Sequence, residues 1–207
     1  MFDERYAQLR SAQPSRRDEA EAFDDHVFAC ALAAAISEQQ SERAPLTQGL
    51  GLTRADIAEL IAERFPGMAA PLCLSRAPDP DVADEEELLR DLLTRYACDG
   101  SRATRWTTAI IARRAMRDDH LWQDLGLVNR GELNRLLARR YPTLHAGNVK
   151  NMRWKKYFYR QICELEGFTL CSAPHCSVCV DFVVCFGDED GLSRLASAAR
   201  EARPTLS

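Results

Sequence analysis

The sequence predicts an all-α fold: a compact multi-helix domain over residues 1–170, a cysteine-rich loop at 171–187, and a charged, helix-capable segment at 188–207 packed on the same domain. Three observations predict it. Apolar residues recur at helical spacing in six stretches, capping and stop residues bound those stretches, and the only alternating run is "VDFVV". With 207 residues, 46% hydrophobic and 28% charged, the chain can bury one sizeable core.

The first helix is predicted over residues 19–38, where Val27, Cys30, Ala31, Ala34 and Ala35 share one face through small side chains; it ends before Pro45. Its apolar run, Val27 to Ile36, is too short to span a bilayer, and acidic "DEAEAFDD" precedes it where a targeting segment would carry positive charge. A cytoplasmic protein with no membrane partner is expected. Thr53 with Asp56 forms a capping-box pattern for a helix through Ile57, Leu60, Ile61 and Arg64, which "FPG" terminates. Residues 71–82, proline-containing and aperiodic, read as a surface loop.

Beyond the loop, Asp84 to Glu87 place carboxylates on a helix N-terminus, where they oppose the positive end of the dipole. Leu88, Leu89, Leu92, Leu93 and Tyr96 then form an apolar face running to about Cys98. Further helices are predicted over Thr104–Met116 and Arg130–Arg140, the second capped by Asn129 with Glu132 at its third position and closed by Pro142. Trp154, Phe158 and Ile162 at i, i+4, i+8 define a last helix that Gly167 stops and that delivers the chain to the cysteine loop.

That loop, "CSAPHCSVCVDFVVC", holds four of the eight cysteines as Cys171, Cys176, Cys179 and Cys185, spaced C-x4-C-x2-C-x5-C. In a reducing compartment clustered thiols are metal ligands more often than bridges, and thiolate sulfur is soft and polarisable. Structural zinc usually takes two C-x2-C knuckles, whereas a single x2 pair is present here, so the spacing favours an iron–sulfur cluster and leaves zinc as the alternative. Cys30, Cys73 and Cys98 are isolated and read as bystanders. Cys163, eight residues before Cys171, reads either as core or as a fifth thiolate, and His175 within the loop either as a nitrogen ligand or as a solvated side chain. His120, in "DDHLWQDLGL", reads on its own as a hydrogen-bonded structural histidine and stands as a further candidate ligand beside Trp122.

The formal net charge of −4 argues against nucleic acid or a membrane surface as partner of the protein as a whole, because both are bound by neutralising phosphate charge. Between Leu133 and Cys163, however, eight Arg or Lys residues occur with no Asp or Glu. Arg153, Lys155, Lys156 and Arg160 are the candidate oxyanion or partner patch, against the plainer reading of a solvated helix face. No G-x-S-x-G, Walker or Rossmann pattern is present, which favours a carrier over a turnover enzyme.

"DDHLWQDLGLVNRGELNRLL", "YPTLHAGNVKNMRWKKYFYRQICELEG" and "CSAPHCSVCVDFVVCFGDE", running almost unbroken from Asp118 to Glu189, resemble the NifQ family of molybdenum-handling proteins in nitrogenase cofactor assembly. The resemblance implies an iron–sulfur protein, with a cluster of 4Fe-4S or 3Fe-4S type on Cys171, Cys176, Cys179 and Cys185, that takes molybdenum from molybdate or another source into a Mo–Fe–S unit. It further implies donation toward the iron–molybdenum cofactor, with the nitrogenase cofactor scaffold complex and the nitrogenase iron protein as partners. A zinc-binding regulatory or nucleic-acid-binding module, and an iron–sulfur electron carrier, are the alternatives.

Overall fold

The computed structural model describes residues 2–14, 18–42, 44–68 and 77–167, and among these it is all helical. Ten helices follow in order: α1 (Phe2–Ser11), α2 (Glu19–Glu42), α3 (Leu46–Leu50), α4 (Arg54–Arg64), α5 (Asp84–Arg95), α6 (Arg102–Ala115), α7 (Leu121–Asp124), α8 (Arg130–Arg140), α9 (Pro142–Gly147) and α10 (Trp154–Glu166). The cysteine loop, the "VDFVV" run, the 188–207 segment and Cys73 lie outside the described residues.

Helix α2 is the centre. Every residue from Val27 to Ile36 is buried, so the helix is enclosed on all sides and not only along the small-residue face. Helices α1, α3 and α6 close around it. Its enclosure also brings charge inside: Arg114 of α6, fully buried, donates from Nη1 to both oxygens of Glu38 at 2.8 and 2.7 Å. Such a pair holds α6 against α2 in one register, since an unmatched partner would leave a buried charge uncompensated.

Local signals account for several boundaries. Thr53 Oγ1 accepts from the Asp56 N–H at 3.1 Å while Asp56 Oδ2 accepts from the Thr53 N–H, the reciprocal box expected at α4. Asn129 Oδ1 accepts from the Glu132 N–H at 3.1 Å at the start of α8. Gly167 closes α10 with φ 73°, in the left-handed region that favours glycine, and its N–H donates to the Cys163 carbonyl.

Other boundaries differ from the sequence expectation. Helix α5 ends at Arg95, short of Cys98. Pro142 does close α8, but it also occupies the first position of α9, where its missing N–H has no intrahelical partner to lose. Helix α1 has a weak apolar stripe and goes unpredicted; it forms because Phe2 and Leu9 bury against the core and Tyr6 reaches His26 of α2, OH to Nδ1, at 2.8 Å. Residues 77–82, within the expected surface loop, are tied down: the Thr47 hydroxyl donates to the Pro78 carbonyl at 2.7 Å, and Arg113 donates to the Asp81 carbonyl.

Candidate functional site

Cys171, Cys176, Cys179, Cys185 and His175 lie outside the described residues. What the structure describes is the platform that leads to them, α10 and its surroundings. Trp154, Tyr157, Phe158 and Ile162 bury one side of α10, which packs on α5. Trp154 anchors the first turn by donating from Nε1 to Asn134 Oδ1 of α8 at 2.7 Å. Helix α10 is thus held at both ends, by this anchor and by the glycine stop. Cys171 follows Gly167 by four residues, a length that spans at most about 14 Å even when extended.

Cys163 is half-buried in the last turn of α10, and its carbonyl receives the Gly167 N–H. His120 is the residue preceding α7; it is half-buried, and its backbone N–H donates to Gln123 Oε1 at 3.2 Å. Trp122 is buried with Nε1 lacking a hydrogen-bond partner. Among the described residues no three His, Cys, Asp or Glu side chains converge as a metal-binding group, so His120 and Cys163 are not joined by other described ligands.

The basic stretch divides in a way its sequence does not show. Arg139 and Arg140 both reach Asp24 of α2, at 3.1 and 2.6 Å, and Asp24 is buried. Arg135 pairs with Glu19 and lays its guanidinium over the Phe23 ring at 4.2 Å. Lys155 turns inward, with Nζ 2.6 Å from Asp124 Oδ2 and bonded to the Arg117 carbonyl. Lys156 is exposed, and Arg160 pairs with Glu164 one turn on. Of the four candidate patch residues, Lys156 and Arg160 share one side of α10 at i, i+4, Arg153 is the residue that precedes the helix, and Lys155 belongs to the interior. The stretch contains no carboxylate of its own up to Cys163, so its carboxylate partners lie elsewhere, among them residues of α2 and α7, Asp99 before α6, and the end of α10.

A cleft of about 180 Å³ opens beside this cationic side, between α10 and the α9–α10 connection, with Tyr157, Arg160, Gln161 and Glu164 on one wall and Lys150 on the other. The sequence alone does not single out Tyr157 or Gly147. The signal for Tyr157 there is only the spacing 157, 160, 161, 164, one helical face that carries polar groups beside the apolar one, and Gly147 has none.

A family model described as NifQ matches residues 27–187, a span that contains α3 to α10, most of α2 and all four clustered cysteines. The chain belongs to the NifQ family. A protein named NifQ homolog from Sinorhizobium fredii (strain NBRC 101917 / NGR234) is 46% identical over 172 residues, covering 83% of this chain and 75% of the relative. Protein NifQ of Rhodobacter capsulatus is 40% identical over 76% of this chain and 87% of its own, and that of Azotobacter vinelandii 39% identical over 68% and 78%. No solved structure matches. NifQ membership gives the chain a role in nitrogen fixation or nitrogenase cofactor biosynthesis. No helix among the described residues is long and apolar enough to cross a membrane.

Proposed function

We propose that this chain is an iron–sulfur protein that acquires molybdenum and donates it for assembly of the nitrogenase iron–molybdenum cofactor. The observation that carries the reading is the C-x4-C-x2-C-x5-C run lying within the residues matched to NifQ. Cys171, Cys176, Cys179 and Cys185 form the ligand set; four soft sulfur donors on one short loop suit iron–sulfur coordination. Cys163, His175 and His120 are the further candidate ligands. The cluster, once bound, supplies a sulfur-rich environment for molybdenum.

The chain's own residues then have defined tasks. Helix α10 carries the loop from a fixed point, because Trp154 and Gly167 set its two ends. Lys156, exposed on its outer side, supplies positive potential that attracts an oxyanion such as molybdate and offsets the charge of a thiolate-ligated cluster, with Arg153 and Arg160 as the further cations of the candidate patch. The cofactor scaffold complex and the nitrogenase iron protein are the partners in this reading. A zinc module reading nucleic acid gains no support from the geometry: five of the eight cations proposed for it face carboxylates of the same chain.

Anaerobic purification followed by absorption spectra and Fe, sulfide, Mo and Zn analysis tests the proposal. Bound iron and sulfide in comparable amounts, with molybdenum taken up on incubation with molybdate, is the expected result. A colourless protein with one zinc overturns it.

A further inference from the structure

We infer that the cleft between α10 and the α9–α10 connection is a binding site for a small tetrahedral oxyanion, with the Tyr157 hydroxyl as its central donor. The inference rests on the proposed function only for the identity of the ion, molybdate; the oxyanion chemistry rests on the cleft itself.

Tyr157 is 7% exposed, yet its hydroxyl lies at the cleft and has no hydrogen-bond partner among the described residues. Burial first, and then the Glu164 carboxylate, hold the phenol above its ordinary pKa; a phenol is a hydrogen-bond donor at neutral pH with or without that shift. Space for it is kept by Gly147, where any Cβ would collide with the hydroxyl. Lys150 and Arg160 flank the same space. Glu164 also lines it, but its two oxygens accept from Arg160 Nε at 2.8 Å and from Gln161 Nε2 at 2.7 Å, which disperses its charge. A cleft of about 180 Å³ is well below the roughly 300 Å³ at which pockets begin to hold drug-sized ligands, and suits a small ion.

The far wall is built in advance. Asn148 bridges the connection, its Nδ2 donating to the Met152 carbonyl at 2.9 Å and its Oδ1 accepting from the Met152 N–H at 2.8 Å. Arg130 of α8 donates to the carbonyls of Asn151 and Met152. A wall ordered before the ligand arrives loses little entropy on binding.

The test is equilibrium dialysis of molybdate against the full-length protein, read by elemental analysis, for the parent chain and for Tyr157→Phe and Lys150→Gln, with sulfate and phosphate as separate competitors. Tyr157→Phe keeps the buried ring and Lys150→Gln changes an exposed side chain, so both variants should fold. Saturable molybdate binding that weakens at least fivefold in each variant, with iron and sulfide content unchanged, is expected. Binding equal to the parent in both variants, or no saturable binding, overturns the site. Tighter binding of sulfate or phosphate than molybdate overturns the assignment of the ion. Absence of iron and sulfide from a parent protein whose oxyanion binding still depends on Tyr157 removes the proposed function and leaves the cleft standing.

Discussion

Lys155 Nζ sits 2.6 Å from Asp124 Oδ2, joining the first turn of α10 to the end of α7 across a boundary where the carboxylate is 2% exposed. The neighbouring Lys156 is exposed on a different side of the helix. Two adjacent lysines of the same basic run therefore do different things, one tying the interior and the other meeting solvent.

Lys155→Gln should cost about 2 kcal/mol, the order expected for losing one charge-assisted hydrogen bond to a buried carboxylate. Lys156→Gln should stay within about 0.5 kcal/mol of the parent. Chemical denaturation of the two variants measures the difference, and equal midpoints would remove the assignment of Lys155 to the interior.

Gly167→Ala places a Cβ at φ 73° and should destabilise the end of α10 by about 1 kcal/mol. A second alanine variant at exposed Glu166, within the helix, should be neutral. Thermal melts compare the two; the glycine assignment is lost should the Gly167→Ala protein melt at or above the parent temperature.

Asp99 offers a pH dependence. The Thr104 hydroxyl first, then the Ser101 groups, hold its carboxyl well below the usual carboxylate range; Thr104 Oγ1 donates at 2.6 Å and the Ser101 N–H at 2.9 Å. A carboxyl depressed in the folded state adds stability that is complete above its unfolded pKa and fades as pH falls toward the folded value. The parent should therefore lose more stability than Asp99→Asn between about pH 5 and pH 2. Urea midpoints taken at stepped pH check this, and parallel curves would rule Asp99 out as a contributor.

Replacing Cys176 and Cys179 together by alanine should abolish bound iron and sulfide while leaving the helical circular dichroism nearly unchanged. The reason is that, among the described residues, helices α1 to α10 and their connections already build a buried core of their own. Iron and sulfide retained at the parent level in the double variant would take the cysteine loop out of the proposed function.

Most helices were legible because their signals are local. The Thr53–Asp56 box, the Asn129 cap, the Gly167 stop and the Trp154–Phe158–Ile162 stripe each involve residues within about two turns of one another, so the chain specifies them before any tertiary contact forms. The short helices were not: α1 lacks a clear stripe, and α3, α7 and α9 span six residues or fewer, too few to show a period.

By itself, then, the sequence determined the all-α class, the boundaries that caps and stops enforce, and the membership of the NifQ family, whose model matches residues 27–187. Only the tertiary structure decided how the basic stretch is used. Charge pairing depends on distance in space, and Asp24 lies more than a hundred positions from Arg139 and Arg140 in the chain while touching both. The same holds for the cleft at Tyr157, whose far wall is positioned by Arg130 from another helix; no spacing along α10 could have placed it there.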